Sequence, residues 1–299
     1  MSVLEKVKEL REVTGAGMQD CKNALKENKN DLEKSIEYLR KKGVLKAAKK
    51  STRDAAEGLI IFGLNEKYFT LTEINTETDF VAKNAEFIEF CSKISEVSLS
   101  ADSLANLCEQ KIKDLSVKDT IVNLISKIGE NIKIRRFLKI KNDDYKISYY
   151  IHSKVSEVSG KIISVIKYKS KNDCIELAKN ICMHIAAMMP IALDEKDLDK
   201  DFLMKEKKII EEQIDKSNKK PEILDKIIKG KLNKIISENT LLNQSWVIDQ
   251  DINVNKAIEN YNKVSSDNFE IVDYKRFKVG EGIEIKKIDF SEEVKSLTK

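Results

Sequence analysis

The sequence predicts an α+β fold with antiparallel strands, preceded by a small bundle of three short helices. Apolar residues recur at helical spacing up to Gly43, and glycines interrupt that pattern between short segments. Beyond residue 55, alternating apolar and polar runs such as residues 68–74 predict strands. Helical segments separate the groups of strands. This order favours an α+β arrangement over a parallel, doubly wound sheet.

The composition indicates a chain of two or more compact units. Its 299 residues are 41% hydrophobic and 35% charged, which is enough for real cores and for an extensive solvated surface. No apolar run approaches the roughly 20 residues that span a bilayer. Residues 1–6 lack a basic region followed by an apolar one, so we expect no export signal and no membrane partner.

Charge and cysteine content narrow the class of partner further. The 54 basic and 50 acidic residues leave a net charge of only +4, a weak excess for a general nucleic-acid binder. The five cysteines are odd in number and do not resemble a disulfide framework. We therefore expect reduced cysteines in a cytoplasmic protein.

Three short helices are predicted within the first 43 residues. The first ends at residues 14–17, where two glycines break the pattern, and the second follows directly. Asn30, with Glu33 three residues later, predicts the start of the third helix, and Gly43 predicts its end. The apolar faces are formed by Val3, Leu4, Val7 and Leu10, by Met18, Cys21, Ala24 and Leu25, and by Leu32, Ile36 and Leu39.

Two features of this region could be taken for ligand sites. Gly15 and Gly17 resemble a phosphate loop, but no strand precedes them and no Gly-Lys-Ser/Thr sequence follows, so we reject that interpretation. Residues 41–53 form a basic connector, but no aromatic residue is interleaved for base stacking. A solvated linker helix is the favoured interpretation of the connector.

A strand-to-helix junction is predicted at residues 76–84. The strand is the alternating run 68–74, which follows another at residues 59–62 after a turn at 65–67. The helix begins near Ala85, and its apolar positions are Phe87, Phe90, Cys91 and Ile94. Thr78, Asp79, Phe80 and Val81 fall at this junction, and we call them the 78–81 segment.

The pattern leaves two interpretations of the 78–81 segment open. In the first, Thr78 or Asp79 caps the helix and Phe80 lies in the core. In the second, Phe80 is an exposed wedge and Asp79 is a polar group beside it. A loop or first turn between rigid elements can hold either arrangement.

Further helices are predicted to about residue 129, and the alternation from Ile132 onward predicts a strand. The faces of these helices are predicted to contain Leu104, Leu107, Ile112 and Leu115, and then Ile121, Leu124, Ile125 and Ile128. A second α+β part follows, with strands at residues 147–151 and 161–168 and a helix at residues 175–188. The residues of that helix that are predicted to face the core are Ile175, Ala178, Ile181, Cys182 and Ile185.

The last third of the chain predicts a helical hairpin and a final strand. Residues 201–215 and 221–237 form the two arms, and residues 217–221 form the turn, with Pro221 suited to the first turn of the returning helix. Two arms of this length cannot bury all their apolar side chains against each other. Residues 274–279 predict a strand, and 279–282 a turn.

The sequence predicts no catalytic centre and no metal site. Its two histidines are His152 and His184. His152 is either a surface contact with a partner protein or a plain strand residue, and we favour the plain strand residue. Cys182 and His184 are two positions apart, so they lie on different sides of a helix, which is poor geometry for a shared metal. No local motif of a cysteine nucleophile is present.

Several separated segments, in the expected order, resemble the elongation factor Ts (EF-Ts) family. They are residues 75–82, residues 7–25, residues 128–137 and the C-terminal turn 279–282. The family usually has Cys or Ser where this chain has Thr76. It more often has Pro and Phe where this chain has Ser245 and Trp246. The resemblance covers essentially the whole chain.

The resemblance implies a guanine-nucleotide exchange factor for elongation factor Tu (EF-Tu), not an enzyme. It implies that Thr78, Asp79, Phe80 and Val81 enter EF-Tu near its magnesium and phosphate site and displace Mg²⁺, so that GDP leaves. The chain itself would hold no metal, cofactor or nucleotide. Its partner would be EF-Tu, GDP-bound or nucleotide-free, with a homodimer or 2:2 complex left open.

The resemblance also implies how the chain divides. Residues 1–54 would form a ubiquitin-associated (UBA)-like bundle with its basic linker, and residues 55–140 the N-terminal part of the core with the 78–81 segment. Residues 141–199 and 238–270 would form the C-terminal part of the core. Residues 200–237 would be the hairpin insertion, a coiled coil, and residues 271–299 the C-terminal segment. An RNA-associated translation protein and a UBA-type adaptor are the alternatives.

Overall fold

The computed structural model describes residues 2–214 and 221–284. These residues form a mixed α+β fold with antiparallel sheet pairing, as predicted. The chain divides into two compact units. The first comprises the described parts of Met1–Lys141, Ser153–Lys161 and Phe277–Lys299, and the second comprises those of Asn142–His152 and Ile162–Arg276. The finer domain limits given above stay predictions.

The first unit opens with three helices that share a core of their own. They are α1 (Val3–Thr14), α2 (Met18–Glu27) and α3 (Leu32–Lys50). A capping box between Ser2 and Glu5 starts α1, and Gly15 ends it in the left-handed region, at φ 67°. The buried core of this bundle consists of Val7, Leu10, Cys21, Ala24, Leu25 and Leu39. The predicted face residues Val3, Leu4 and Met18 are exposed instead.

Two predictions about α3 are wrong. The cap is Asp31 rather than Asn30, because the Asp31 side chain accepts a hydrogen bond from the Lys34 N–H. The helix also continues through Gly43 to Lys50, so the basic connector is its last part. Gly43 is buried, and a Cβ there would lie 3.0 Å from the Ser126 Oγ. Gly43 thus serves close packing against a neighbouring helix rather than helix termination.

The remaining elements of the first unit alternate between strands and helices. They are β1 (Glu57–Leu64), β2 (Tyr68–Thr76), α4 (Asp79–Ala82), α5 (Ala85–Val97), α6 (Leu104–Glu109), β3 (Lys111–Ile112), β4 (Leu115–Ser116), α7 (Val117–Ile128) and β5 (Ile132–Lys141). Ile112 and Leu115, predicted to be helical, form a small β3–β4 hairpin instead. The chain reverses there at Lys113, which has a φ of 56°.

The sheet of the first unit is centred on β2. It pairs antiparallel with β1, with Leu59 opposite Ile74, and antiparallel with β5, with Thr76 opposite Ile132. Helices α4, α5 and α7 contribute to the core under this sheet. Its fully buried members include Leu59, Ile74, Ala82, Phe87, Cys91, Ile94 and Val117.

A hairpin of β6 (Lys146–Ser156) and β7 (Ser159–Lys169) follows, and its connecting residues 153–161 belong to the first unit. There, Gly160 pairs with Ile60 of β1. The second unit contains the rest of this hairpin with α8 (Ile175–Met188), α9 (Lys200–Gln213), α10 (Pro221–Asn239) and α11 (Val254–Ser265). It also contains β8 (Glu270–Lys278) up to Arg276, and β8 pairs with β7.

The core of the second unit lies around α8. Its buried residues include Ile166, Ala178, Ile181, Cys182, Ile185, Leu241, Trp246 and Val254. Helix α8 has the predicted limits, but Ile175 at its first position is 64% exposed rather than inward. Helix α11, which contributes Val254 and Ile258 to this core, was not predicted.

Helices α9 and α10 occupy the positions of the two predicted hairpin arms. Their residues Phe202, Leu203, Leu232 and Ile236 belong to one apolar cluster with Ala192 and Leu198. The predicted turn at residues 217–221 lies outside the described residues except for Pro221, the first residue of α10. The hairpin as an inserted coiled coil stays a prediction.

Candidate functional site

The 78–81 segment lies between the end of β2 and the start of α5, as predicted. Strand β2 ends at Thr76, whose hydroxyl donates a 2.8 Å hydrogen bond to the Thr78 carbonyl. The four residues of α4 follow, and Asn84 then caps α5 by accepting from the N–H groups of Glu86 and Phe87. The segment is therefore fixed at both ends by regular structure.

Within α4 the apolar side chains point in opposite directions. Val81 is buried, at 7% exposure, and Ala82 is fully buried in the core of the first unit. Phe80 is 79% exposed. The interpretation that placed Phe80 in the core is therefore wrong. The burial of a phenylalanine would contribute about 1.5–3 kcal/mol, and at Phe80 this apolar surface remains available for contact with a partner.

Thr78 occupies the N-cap position of α4, but its side chain accepts no capping hydrogen bond. Its hydroxyl instead donates to the Glu130 Oε1 at 2.7 Å, and its backbone N–H donates to the Glu130 Oε2 at 3.0 Å. The expected cap is thus replaced by a contact with a carboxylate 52 positions away. Sequence reasoning did not identify Glu130 as part of the site, although it lies in the segment 128–137 that carries the family resemblance.

Asp79 is half-exposed and forms an ion pair with Lys83, with 2.8 Å between the Oδ2 and Nζ atoms. The hydrogen bond from Lys83 holds the pKa of the Asp79 carboxyl below its usual value, and the Asp79 carboxylate in turn raises the pKa of Lys83. Asp79 is therefore a carboxylate at neutral pH. It stands beside Phe80 as a polar group that a partner can reach.

An open hollow of about 470 Å³ lies next to Phe80. An ion pair between Lys127 of α7 and Glu86 of α5 stands at its wall. The hollow is lined by Phe80, Val81, Asn84, Glu86, Lys127 and Ile128. An exposed aromatic side chain rimmed by polar groups is typical of a surface that binds another molecule.

The other features singled out in the sequence are structural. In the basic connector, Lys42 and Lys46 both bind the Asp20 carboxylate, at 3.0 and 2.9 Å. These contacts keep the pKa of Asp20 low. The turn at residues 279–282 directs the Gly280 N–H to the buried Glu73 carboxylate at 2.9 Å. Both arrangements are contacts within the first unit.

Cys182 and His184 are both buried and are bound elsewhere. The Cys182 Sγ lies 3.2 Å from the Ser148 carbonyl, and the His184 Nε2 lies 3.0 Å from the Gln244 Oε1. His152 is an exposed residue of β6, as expected. Across residues 2–214 and 221–284, the acidic, cysteine and histidine side chains form no group that could hold a metal ion. In the same part of the chain, every helix falls short of the length and apolar content that crossing a bilayer requires.

Comparison with known proteins identifies the family. The family model described as "Elongation factor TS" matches residues 77–281, which include the 78–81 segment and Glu130. Elongation factor Ts of Clostridium acetobutylicum is 42% identical over 296 residues, covering 96% of this chain and 95% of the relative. That of Clostridium kluyveri is 42% identical over 305 residues, covering 99% and 98%. That of Ruegeria sp. is 38% identical over 288 residues, covering 96% of each. The chain belongs to the elongation factor Ts family.

Proposed function

We propose that the 78–81 segment is the part of this chain that enters the nucleotide site of EF-Tu and displaces Mg²⁺. Membership of the family makes the chain the nucleotide exchange factor for EF-Tu in translation elongation, and not a catalytic enzyme. Phe80 acts as the apolar wedge, and Asp79 makes the polar contact that fixes its approach. Without its Mg²⁺, the bound GDP loses the cation that neutralises its phosphates and dissociates.

The observation that carries this proposal is the exposure of Phe80 on an otherwise anchored turn. Phe80 is 79% exposed while Val81 and Ala82, the next two residues, are buried in the core. The turn therefore presents an aromatic side chain on a rigid base, which lowers the cost of ordering the backbone at the moment of binding. Central aromatic side chains of this kind are frequent hot spots of protein interfaces.

The mechanism follows from linkage between two ligands of EF-Tu. If the chain weakens GDP binding by a given factor, GDP must weaken the binding of the chain by the same factor. The chain should therefore bind nucleotide-free EF-Tu more tightly than EF-Tu·GDP. It needs no nucleotide site of its own for this, and titration calorimetry against both forms of EF-Tu measures the two affinities.

The decisive experiment is stopped-flow release of a fluorescent GDP analogue from EF-Tu, driven by wild type, Phe80→Ala or Asp79→Ala. Loss of a hot-spot anchor costs about 2–4 kcal/mol, and a loss of about 2 kcal/mol corresponds to roughly 30-fold in rate. Because Phe80 is exposed, Phe80→Ala should melt within a few degrees of wild type. Val264→Ala removes another exposed apolar side chain, 89% exposed on α11, and should release GDP normally. Normal release with folded Phe80→Ala refutes the proposal.

We also propose that the arms α9 and α10 are dispensable for exchange and instead carry any self-association, as a homodimer or within a 2:2 complex with EF-Tu. Met204 and Ile209 on α9 and Ile223 on α10 remain exposed, and such leftover apolar surface favours association. Sedimentation of wild type and of a Met204→Glu/Ile209→Glu variant would test this. An unchanged mass distribution, or loss of exchange in a folded chain with a shortened hairpin, contradicts the proposal.

A further inference from the structure

We propose that Glu130 is a positioning residue for nucleotide exchange, an inference that rests on the proposed function of the 78–81 segment. The two oxygens of its carboxylate accept separate hydrogen bonds from one residue, Thr78. The N–H lies 3.0 Å from Oε2 and the hydroxyl 2.7 Å from Oε1. Because both donors belong to Thr78, two residues before Phe80, the carboxylate fixes the point from which the wedge is presented.

A second carboxylate completes this contact in the opposite direction. The backbone N–H of Asn131 donates to the Glu77 Oε1 at 2.6 Å. Residues 77–78 and 130–131 therefore hold each other, since each pair contributes one carboxylate and one backbone N–H. We call this arrangement of Glu77, Thr78, Glu130 and Asn131 the carboxylate clasp. Hydrogen bonds to an ionised acceptor are roughly twice as strong as neutral ones.

The clasp is tied to rigid structure on the side of Glu130. Helix α7, anchored in the core by Leu124 and Ile125, ends at Gly129 in the left-handed region, at φ 91°. Glu130 follows directly, and Asn131 is the last residue before β5. The Asn131 side-chain amide also donates to the Arg53 carbonyl at 2.8 Å. The carboxylate that holds Thr78 thus projects from a fixed junction between a helix and a strand.

The 78–81 segment needs such a tether because α4 cannot order itself. It has four residues, whereas isolated helices are marginal below about 12–15 residues. Val81 and Ala82 anchor the far side of the turn in the core. On the near side the Thr76 hydroxyl holds the Thr78 carbonyl, and the two bonds to Glu130 hold the Thr78 N–H and hydroxyl, since Thr78 makes no side-chain cap. When the near side is released, the turn samples conformations in which Phe80 is misdirected.

Loss of the bonds between Thr78 and Glu130 leaves a smaller fraction of chains in the conformation that binds EF-Tu. When only part of a population has the competent conformation, its apparent affinity falls by that fraction. Glu130→Gln preserves size but removes the negative charge. Its amide oxygen can still accept from the Thr78 N–H, and its NH₂ group can donate to the Thr78 hydroxyl, so two charge-assisted hydrogen bonds become two weaker, neutral ones. We expect the second-order constant for GDP release to fall about tenfold, the equivalent of about 1.4 kcal/mol.

The test uses the full chain in the stopped-flow assay with EF-Tu and a fluorescent GDP analogue. The matched control is Glu89→Gln, because Glu89 is an exposed carboxylate paired with Lys93 on its own helix. The control should release GDP like wild type. Glu130→Gln should be slow and should melt close to wild type. Wild-type release by folded Glu130→Gln overturns the inference.

A double-mutant cycle separates positioning from direct contact with EF-Tu. Thr78→Val removes the hydroxyl that donates to Glu130 while keeping the shape of the side chain. If Glu130 acts through Thr78, the double variant should lose less than the product of the two single losses. Fully multiplicative losses would mean that Glu130 acts elsewhere, and would overturn the inference.

Hydrogen exchange on the free chain provides a readout that does not involve EF-Tu. In Glu130→Gln, the amides of residues 78–83 should lose protection while those of β1 and β2 keep it. Unchanged protection at residues 78–83 counts against the clasp.

Phe80→Ala in the stopped-flow GDP-release assay distinguishes the inference about Glu130 from the proposed function of the 78–81 segment. If Phe80→Ala is slow and Glu130→Gln is normal, the inference about Glu130 alone fails. If Phe80→Ala is normal, the proposed function itself fails.

Discussion

The backbone N–H of Gly280 donates a 2.9 Å hydrogen bond to the Glu73 carboxylate, across 207 positions of sequence. Glu73 lies fully buried in the middle of β2. Arg135 and Arg136 of β5 both bind the same carboxylate. A φ of +72° at Gly280 allows this approach, and a Cβ there would lie 2.3 Å from the Ala56 carbonyl oxygen. One buried carboxylate thus joins the sheet to the turn after β8.

We expect Glu73→Gln to lower the free energy of unfolding by about 1.5–3 kcal/mol, because a neutral amide cannot replace the charge-assisted hydrogen bonds that the carboxylate accepts, while the partly exposed arginines stay solvated. Urea unfolding followed by circular dichroism measures this. Glu157→Gln removes a carboxylate that is almost fully exposed and paired with Lys154, so it should stay within about 0.5 kcal/mol of wild type. Equal midpoints for the two variants would mean that the Glu73 contacts contribute little.

The Glu73 carboxylate should also make the stability of the first unit fall at acid pH. Burial by itself raises the pKa of Glu73, but the Gly280 N–H, the Asn75 amide and the Arg136 guanidinium outweigh it and hold the pKa below its ordinary value of 4.5. A depressed pKa means that this stabilisation is fully present above pH 4.5 and is lost as the pH falls through the lower folded value. The stability of Glu73→Gln should therefore depend less steeply on pH below 4.5.

His184 should make the stability of the second unit depend on pH in a higher range than Glu73 does for the first unit. Its Nδ1 accepts from the Val247 N–H, and both N–H groups of the Gln244 amide face carbonyls, so the Gln244 oxygen accepts from the His184 Nε2. The ring is thus held neutral. Burial lowers its pKa below the ordinary 6.5, although the Gln244 contact acts to raise it. Its stabilisation is present above pH 6.5 and decreases as the pH falls toward the folded value.

Trp246, the one tryptophan of the sequence, reports on this transition because its ring stacks on His184 with centroids 5.3 Å apart. We expect urea midpoints from its fluorescence to fall as the pH is lowered below 6.5. His184→Gln should flatten that dependence, while His152→Gln, at the other and exposed histidine, should retain it. A wild-type midpoint that is constant below pH 6.5 would refute this prediction.

Local pattern was sufficient for elements whose contacts are local. The β1–β2 hairpin and α8 follow from alternation, helical spacing and turn residues. The pattern failed where a distant partner decides. A glycine after a helical run usually predicts the end of the helix. Here α3 continues through Gly43, and Ser126 and Val122 of α7 pack against the space that a side chain would fill. Residues 112–115 form a hairpin in a stretch whose spacing fits a helix.

The candidate site shows the same division. Its place between a strand and a helix was predicted from the residues, and the exposure of Phe80 was left open by the pattern. Periodicity cannot decide that exposure, because α4 is a single turn and Val81 fills the inward position equally well. Glu130 could not be found from spacing, since only the folded chain brings it to Thr78. The family resemblance included both residues 75–82 and residues 128–137, but it did not indicate that they are in contact.

The length of α3 leads to a prediction about truncation. A chain that begins at residue 44 should be more stable than one that begins at residue 55. The last turns of α3 place Ala47 in the core of the first unit, and Lys50 donates to the Gly129 carbonyl. The Ser51 and Arg53 carbonyls accept from the Asn131 side chain. Thermal melts of the two truncated chains test this. Equal melting temperatures would show that residues 44–54 contribute nothing to the stability of the chain from residue 55 onward.

Magnesium dependence provides the strictest test of the wedge. If the chain and Mg²⁺ exclude each other on EF-Tu·GDP, linkage requires Mg²⁺ to weaken the binding of the chain by the factor by which the chain weakens Mg²⁺ binding. Raising free Mg²⁺ should therefore increase the concentration of wild-type chain needed for half-maximal GDP release. Removing Mg²⁺ with a chelator should speed release even without the chain.

Phe80→Ala makes this test specific to the 78–81 segment. A chain without the wedge still docks through its other surfaces but competes less with the metal, so its half-maximal concentration should respond less to Mg²⁺. In chelator, where no metal remains to be displaced, the roughly 30-fold deficit expected for a loss of about 2 kcal/mol should shrink. The response to Mg²⁺ is measured by repeating the release assay across a titration of the free metal for both chains. Parallel responses of wild type and Phe80→Ala would mean that Phe80 strengthens docking without acting on the magnesium site, and the wedge would then be an anchor only.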